Sequence, residues 1–327
     1  MRKMKSIGEL RHEGVLARHV AGNGAARAIP VRYEMAPPAI KPKAVKEAEK
    51  LRKQEKASAQ NKPGQPQPAK RRKSQLTAEE VAYREEKKKR ALPQVGLNLL
   101  HSVRASMDER PELRKRVLLA LGDNSYTNRR MLRGLPERTT YIGRIREDAR
   151  LCWPPEPARG KRRGRPRRYG PKAPTPGEIL RDESIPWTTV RCFAAGRFHE
   201  MQVKVLRNLY WRNAGADMAV QVVVIQPLGY RLRKGARLSY RRPAFLICDD
   251  PALGLQLLVQ AYIYRWEIEC NHRDEKSLLG VGQGQVQNPN AVRRLPQFQV
   301  AGYSLLLLAS LLSSGFRRTG QEYLPLP

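Results

Sequence analysis

Apolar and polar positions along the chain divide it into segments with strand and helix patterns. A continuous apolar run at residues 117–121 is typical of a central strand that is buried on both faces. Residues 139–148 alternate enough to be the next strand, and the polar segment between the two predicts a helix over 128–135. This order predicts an α/β sheet, with Asp123 at the end of a strand.

Two further patterns extend this prediction. Apolar residues recur at helical spacing before the first of these strands and predict a helix that faces the core. They are Leu97, Leu100, Val103 and Met107. Between residues 190 and 250, Val, Ile and aromatic residues alternate with polar ones and are punctuated by Gly, Asn and Pro, which predicts a block of strands.

A long uncharged run lies near the end of the chain, at residues 295–316. Its 22 residues are enough to span a bilayer, which leaves a membrane segment open as an alternative. The run also contains Pro296, two Gln, four Ser and two Gly. We therefore predict a helix that is buried against the sheet.

Changes in composition suggest four regions. Residues 41–90 are highly charged and include a Pro-, Gln- and Lys-rich stretch that cannot pack a core. Thr77 and Glu80 form a candidate capping box there. The first region, 1–90, is therefore predicted to be basic, with a partial core strand near 25–35 and a disordered or helical arm at 41–90. The others are 91–152 with Asp123, 153–250 with a basic loop and the β-rich block, and 251–327 with two helices.

The net charge indicates the kind of partner. The chain carries 63 Lys and Arg against 30 Asp and Glu, which gives a charge of +33. Such an excess of positive charge is typical of proteins that bind a polyanion. Because the charge is spread along the chain, it favours nucleic acid over a membrane surface. Charge alone does not choose DNA over RNA.

The cysteines and the N-terminus indicate a cytoplasmic protein. The cysteines are far apart and include no C-x2-C pair, which argues against a zinc site. We expect them to be reduced thiols. They are Cys152, Cys192, Cys248 and Cys270. The basic N-terminus has no apolar core after it and is not a signal peptide.

Three acidic residues lie where predicted strands end. Asp123 is the first candidate for chemistry, because α/β sheets place their sites at the carboxyl ends of strands. The alternative is that Asp123 caps the helix after it. Asp249 and Asp250 are its rivals, and we expect one of them to cap the helix that follows, since Asp-Pro is a frequent helix start.

We interpret residues 262–276 as one helix with a functional face. A ring, a guanidinium, an acid and an amine follow the spacing Y-x2-R-x3-E-x6-K, which puts them on one face of an α-helix. They are Tyr262, Arg265, Glu269 and Lys276. The alternative is an ordinary surface helix with a salt bridge between residues four apart.

This spacing resembles the YREK signature of bacterial DDE transposases of the insertion-sequence-four type. The DNSY segment that begins at Asp123 resembles the second-Asp motif of the same family, with Ser125 where Gly or Ala is usual. The resemblance implies an RNase H-like mixed sheet with flanking helices, interrupted by a β-rich insertion. It implies that Asp123 and Glu269 are catalytic metal ligands. The DNA contacts that it implies are Tyr262, Arg265 and Lys276.

The same resemblance implies DNA transposition, in which metal-dependent chemistry cleaves DNA strands and transfers them. The cofactor that it implies is Mg²⁺ or Mn²⁺. The implied partner is DNA, as transposon ends and target, with no membrane and no small-molecule substrate. We expect a homodimer in the cytoplasm, associated with the nucleoid.

A basic loop supplies a second candidate DNA contact. Residues 159–172 hold eight basic residues and no acid. Within them, Arg163 and Arg165 stand in the order Arg-Gly-Arg-Pro, which resembles the core of an AT-hook that lies in an A·T-rich minor groove. The alternative is a general phosphate-binding loop.

The first carboxylate of the implied DDE set has no candidate. Before Asp123 the only Asp is Asp108, which lies in a charged helical stretch and not at a strand end. We therefore expect the chain to lack the N-terminal part of the core that carries the first catalytic Asp, so the sequence leaves open whether the protein is an active enzyme. The alternative function is a non-catalytic basic protein that binds DNA or RNA.

Overall fold

The computed structural model describes most of the chain, and the structural statements below concern these residues. They are 12–16, 28–34, 36–60, 76–156, 167–194, 197–215, 218–227, 229–230, 237, 239–240 and 242–314. The strands are β1 (His12–Leu16), β2 (Ala28–Tyr33), β3 (Leu118–Gly122), β4 (Thr139–Arg144), β5 (Leu151–Cys152), β6 (Thr188–Ala194), β7 (Arg197–Trp211), β8 (Ala219–Ile225), β9 (Gly229–Tyr230), β10 (Ser239–Tyr240) and β11 (Ala244–Cys248). The helices are α1 (Lys43–Gln60), α2 (Ala78–Lys89), α3 (Leu92–Asp108), α4 (Pro111–Arg114), α5 (Arg129–Gly134), α6 (Pro176–Arg181), α7 (Leu255–Tyr264), α8 (Trp266–Leu279) and α9 (Pro289–Ser314).

The main sheet is mixed and has seven strands. Its order is β3-β4-β11-β8-β7-β5, and β6 also pairs with β7. β3 and β4 are parallel, as expected for strands joined through a helix, and the other pairs are antiparallel. The predicted β-rich block thus extends the sheet that starts with β3 and β4. A mixed sheet with flanking helices confirms the predicted fold class and is consistent with an RNase H-like fold.

Helices cover both faces of this sheet. Side chains alternate between the faces along each strand. In β8, Val222 and Val224 belong to the core cluster that includes buried residues of α3, α5 and α6, whereas Val223 and Ile225 belong to the cluster that includes α7. We call the second face the α7 face. Fully burying one such side chain contributes about 1.5–3 kcal/mol, so these clusters hold the sheet between its helices.

β3 lies at the edge of the sheet, and the prediction of a central strand is wrong. Within the described part of the chain, β3 pairs with β4 alone. Its side chains are nevertheless covered on both faces, since Leu118 packs on one core cluster and Leu119 and Leu121 pack on the other. The continuous apolar run therefore indicates that both faces of β3 pack against other residues, and it does not indicate a central position in the sheet. Val117, just before the strand, is 59 % exposed.

The predicted strand near 25–35 exists as β2, but it is not part of the main sheet. It pairs antiparallel with β1 in a two-stranded sheet. This hairpin is fixed to the C-terminal helices by side chains that hydrogen-bond to its carbonyl groups. Asn271 donates to the Ala28 carbonyl at 2.7 Å, and Ser304 donates to the Pro30 carbonyl at 2.6 Å.

The charged arm is helical where the structure describes it, as α1 and α2. The predicted capping box is present, because Thr77 and Glu80 exchange the two expected hydrogen bonds at the start of α2. Glu80 is buried and accepts two hydrogen bonds from the Arg52 guanidinium of α1. These bonds, followed by the one from the Thr77 N–H, hold the pKa of Glu80 below its usual value.

The uncharged C-terminal run forms the predicted helix, α9, but it is not buried against the main sheet. α9 packs on α8 and β2. Its apolar residues reach into solvent, among them Phe298, Leu305 and Leu312. Among the described residues it is the one helix long and apolar enough to cross a membrane by length and composition, and 11 % of its most apolar window is buried.

Candidate nuclease-type site

Asp123 directly follows β3 and stands at the carboxyl end of this edge strand. The two leucines before it on β3, Leu119 and Leu121, point to the α7 face. The Asp123 carboxylate accepts a hydrogen bond from the Ser125 N–H at 2.8 Å, and its carbonyl accepts one from the Thr127 N–H at 3.0 Å. A tight loop therefore fixes the acid at a strand end, as predicted.

Asp123 does not cap the helix that follows, so this alternative is wrong. α5 begins at Arg129, and its N-cap is Asn128. The Asn128 Oδ1 accepts a hydrogen bond from the Met131 N–H at 3.1 Å. The loop after Asp123 is too long for its side chain to reach the first turn, so the acid has no capping role.

A hydrogen-bonded pair of hydroxyl groups supports the Asp123 loop. Thr127 Oγ1 donates to the Asp123 carbonyl at 2.8 Å and lies 3.1 Å from the Tyr141 hydroxyl. Two glycines leave room for this pair. A Cβ at Gly122 would lie 2.0 Å from the Tyr141 hydroxyl, and one at Gly143 would lie 2.2 Å from Thr127 Oγ1. These residues were not predicted from the sequence, although glycines near the ends of two adjacent strands were an available signal.

The segment with the YREK spacing is two consecutive helices and not the single helix that was predicted. α7 ends at Tyr264, α8 begins at Trp266, and Arg265 is the junction. The hydrogen-bond pattern tightens there, since the Ile268 N–H donates to the Arg265 carbonyl, three residues back. Arg265 keeps helical backbone angles, with φ −52° and ψ −28°, so the helical register continues across the junction.

Three of the four residues with the YREK spacing are in contact along one stripe. The Arg265 guanidinium lies 6.0 Å from the centre of the Tyr262 ring and 3.2 Å from the Glu269 carboxylate. Lys276 is exposed and lies two turns further along α8, roughly 10 Å from Glu269 along the axis. The stripe presents an acid between two cationic groups.

The opposite side of α8 is fixed to the N-terminal hairpin. Asn271 and Glu275 are buried there, and the His272 ring nitrogen lies 3.8 Å from the Glu275 carboxylate. Burial, and next the negative charge of Glu275, raise the pKa of Tyr33 on β2 to about 12. Because this inner side anchors α8, the outer side with Glu269 and Lys276 remains accessible.

The rival acids Asp249 and Asp250 lie elsewhere on the sheet. The Asp249 carboxylate accepts a hydrogen bond from the Tyr141 N–H at 2.7 Å, whereas Asp123 is level with Arg144 by the register of β3 and β4. Asp249 is thus offset from Asp123 by three residues along the strands and by two strands across the sheet. Together these offsets put the two acids about 14 Å apart. Burial raises the pKa of Asp249 to about 6.

Neither of the rival acids caps α7, and that expectation is wrong. The N-cap of α7 is Gly254, which makes no side-chain capping bond. Asp250 instead accepts a hydrogen bond from the Ala252 N–H at 2.9 Å, within the turn that precedes the helix. Asp250 therefore belongs to the turn that connects β11 to α7, and the helix starts only after this turn.

The described residues do not assemble a complete metal centre. No group of three or more His, Cys, Asp or Glu side chains among them is placed to hold a metal ion. Asp123 and Glu269 supply the hard oxygen donors that Mg²⁺ and Mn²⁺ prefer. A pair of ions needs more ligands than two carboxylates, so the donor set does not fit a two-metal centre.

The basic residues predicted to contact DNA fall partly outside the described residues. Arg163 and Arg165 do so, and the structure does not test them. Close to Asp123, Arg129 and Arg130 are exposed on α5, and Arg273 is exposed near Lys276 on α8. The four cysteines are free and buried, which agrees with the expected reduced thiols.

Residues 62–217 match the family described as DDE superfamily endonuclease. The match spans 156 of the 327 residues, just under half of the chain. It includes Asp123 and β3 to β7, and it ends before the helices that carry Glu269. No curated protein matches the chain. The matched part supports a protein of the DDE transposase type, with DNA as the substrate of that family.

Proposed function

We propose that this protein binds DNA as a transposase of the insertion-sequence-four type and that its DNA surface includes the outer stripe of α7 and α8. The observation that carries the proposal is that Tyr262, Arg265 and Glu269 lie along one stripe that also exposes Lys276. A family match that includes Asp123 supports it. The proposed setting is the cytoplasm at the nucleoid, with transposon ends and target DNA as partners and a homodimer as the assembly.

Each residue of the stripe suits a different part of a DNA backbone contact. Arg265 offers a planar fork of donors that matches a phosphate, and Lys276 offers a compact, hydrated charge. Tyr262 can donate a hydrogen bond from its ring hydroxyl to a phosphate oxygen. Such contacts position the duplex without reading its sequence. The net charge of +33 adds a long-range attraction to any DNA.

Metal-dependent strand cleavage and transfer is the finer part of this proposal. Asp123 and Glu269 are the residues that would hold Mg²⁺ or Mn²⁺, and such ions activate a nucleophile and stabilise the leaving oxygen in phosphodiester cleavage. Because two carboxylates are an incomplete donor set, DNA binding without cleavage is the second candidate function. The lack of a third acid among the described residues favours it.

A nicking assay separates these functions. Supercoiled plasmid is incubated with the protein and Mg²⁺ or Mn²⁺, with Glu269→Ala as the test variant. Glu137→Ala is the matched control, because Glu137 is 92 % exposed and lies outside the stripe. Metal-dependent nicking that is lost only in the Glu269 variant supports cleavage.

DNA binding with no nicking by the unmodified protein supports the second candidate. A preference for RNA, with Arg265 and Lys276 dispensable for binding, would overturn both transposase functions.

A further inference from the structure

α9 carries an exposed apolar stripe with the spacing of a coiled-coil seam. Phe298, Leu305 and Leu312 recur every seven residues and are 76, 69 and 79 % exposed. Ala301 and Leu308 lie between them, and both are exposed. Intervals of three and four residues put all five on one side of the helix, as at the a and d positions of a heptad. The stripe is roughly 21 Å long.

This stripe is not the side that attaches α9 to the rest of the protein. The attached side carries the buried Val300 and Tyr303. Gln299 donates to the Leu279 carbonyl of α8 at 2.6 Å, and Ser304 donates to the Pro30 carbonyl of β2 at 2.6 Å. The fold of the described residues therefore uses one side of α9 and leaves the stripe open.

We propose that a second copy of this chain binds to the stripe, so that two α9 helices pack against each other. The spacing selects a helix as the partner, because knobs at intervals of three and four residues fit the holes of another helix. A seam of five apolar residues is complementary to itself, as a two-fold interface requires.

Charge favours the same partner. Two chains of charge +33 repel each other over most of their surfaces. α9 has no charged residue from position 295 to its end at Ser314, so two copies can approach along it without placing like charges together. A homodimer of so basic a chain therefore meets little repulsion along this surface.

The attachment of α9 argues against a membrane as the occupant. A span needs about 20 residues of helix surrounded by lipid. Val300 and Ser304 are held on the protein by buried and hydrogen-bonded contacts. Beyond Ser304 the described part of α9 has about ten more residues, roughly 15 Å, which is half the thickness of the hydrocarbon core.

The oligomeric state of the full chain tests this surface. We expect the protein to be a dimer at micromolar concentration in sedimentation velocity experiments without DNA. The variant Leu305→Gln with Leu312→Gln should be monomeric. Leu306→Gln is the matched control, because Leu306 is 63 % exposed but lies off the stripe, and it should stay dimeric. The measurement involves no DNA, so its failure is distinct from failure of the proposed DNA binding.

Cross-linking keeps the proposal testable if the double variant does not fold. The four native cysteines are buried, so a new thiol on α9 is the reactive one. Leu305→Cys, in the middle of the stripe, should form a disulfide-linked dimer under mild oxidation, and Leu306→Cys should form much less.

Three results would overturn the proposal. They are an unmodified protein that stays monomeric at every concentration, equal cross-linking at both positions, and a monomer that floats with phosphatidylcholine vesicles. The last result would assign the stripe to a membrane surface.

Discussion

The Arg265 guanidinium lies one helical turn from the Glu269 carboxylate, with 3.2 Å between Nη2 and Oε1. An ion pair of this kind stabilises a helix by only about 0.2–0.5 kcal/mol. The Glu269 side chain is 44 % exposed, so water screens the attraction further. The pair is thus too weak to be needed for folding. Substitutions of Glu269 and Lys276 can therefore test function with little effect on stability, whereas the Arg265 side chain is 17 % exposed and also packs against the protein.

Removing a basic group from the stripe should weaken DNA binding at all sequences alike. A variant with one fewer cation on the phosphates should show a slope of log affinity against log salt that is smaller by about 1. We expect this for Arg265→Ala and for Lys276→Ala, measured by fluorescence anisotropy over a salt series. Lys276→Arg keeps the charge and should keep the slope. A slope unchanged in both alanine variants would exclude the stripe from the DNA surface.

Asp249 should make stability fall as the pH rises. Its pKa in the folded protein is about 6, raised from 3.8 by burial, so the folded state binds more protons than the unfolded state between these values. Stability then decreases with pH in this window, by on the order of 2–3 kcal/mol in total. Asp249→Asn keeps the acceptor for the Tyr141 N–H and removes the titration.

Urea unfolding at pH 4 and pH 7 measures this effect. The difference in stability between Asp249→Asn and the unmodified protein should grow in favour of the variant as the pH rises. A constant difference would show that Asp249 titrates at its ordinary pKa.

Gly143→Ala should destabilise the protein by about 1–3 kcal/mol, because overpacking forces neighbouring groups to move. Its Cβ would lie 2.2 Å from the Thr127 hydroxyl that supports the Asp123 loop. Gly254→Ala is the control, since nothing lies within 4 Å of a Cβ there. Urea unfolding should show a loss for the control of less than about 1 kcal/mol. Equal losses would mean that the space beside Thr127 is not tightly filled.

No described strand pairs with the outer edge of β3, and we expect this edge to promote aggregation. Exposed apolar edge strands pair with other chains, and natural proteins block this with charge. Val117→Lys places a charge beside that edge and should slow aggregation, followed by light scattering at raised temperature. Val81→Lys is the control, because Val81 is 42 % exposed on α2, away from any strand. A similar effect of both variants would point to net charge as the cause.

Local patterns predicted the elements around Asp123 but not their neighbours. The apolar run of β3 and the spacing of Leu97, Leu100 and Val103 show which faces of the strand and the helix make apolar contacts. These faces were predicted correctly. The edge position of β3 depends on which strand pairs beside it, which no local pattern records. The exposure of Leu305 depends in the same way on the helix packing of the whole domain.

The candidate site shows the same division between local and distant information. The spacing of Tyr262, Arg265 and Glu269 was sufficient to predict that they share one side of the helix, because helical geometry is local. The break at Arg265 was not predicted, since it contains no Pro or Gly. The position of Asp249 beside Tyr141 is set by an antiparallel register between residues 108 apart, which the sequence does not reveal.

The attachment of the N-terminal hairpin to α8 and α9 has a consequence for biosynthesis. Asn271 reaches back 243 residues to Ala28, and Ser304 reaches back 274 residues to Pro30. β2 is therefore synthesised long before α8 and α9, the helices on which it packs. Closing a loop of this length costs about 5 kcal/mol of chain entropy, so the hairpin should dock late, after the sheet has formed. A ribosome that stalls before α8 is complete would leave β2 without the helices on which it packs.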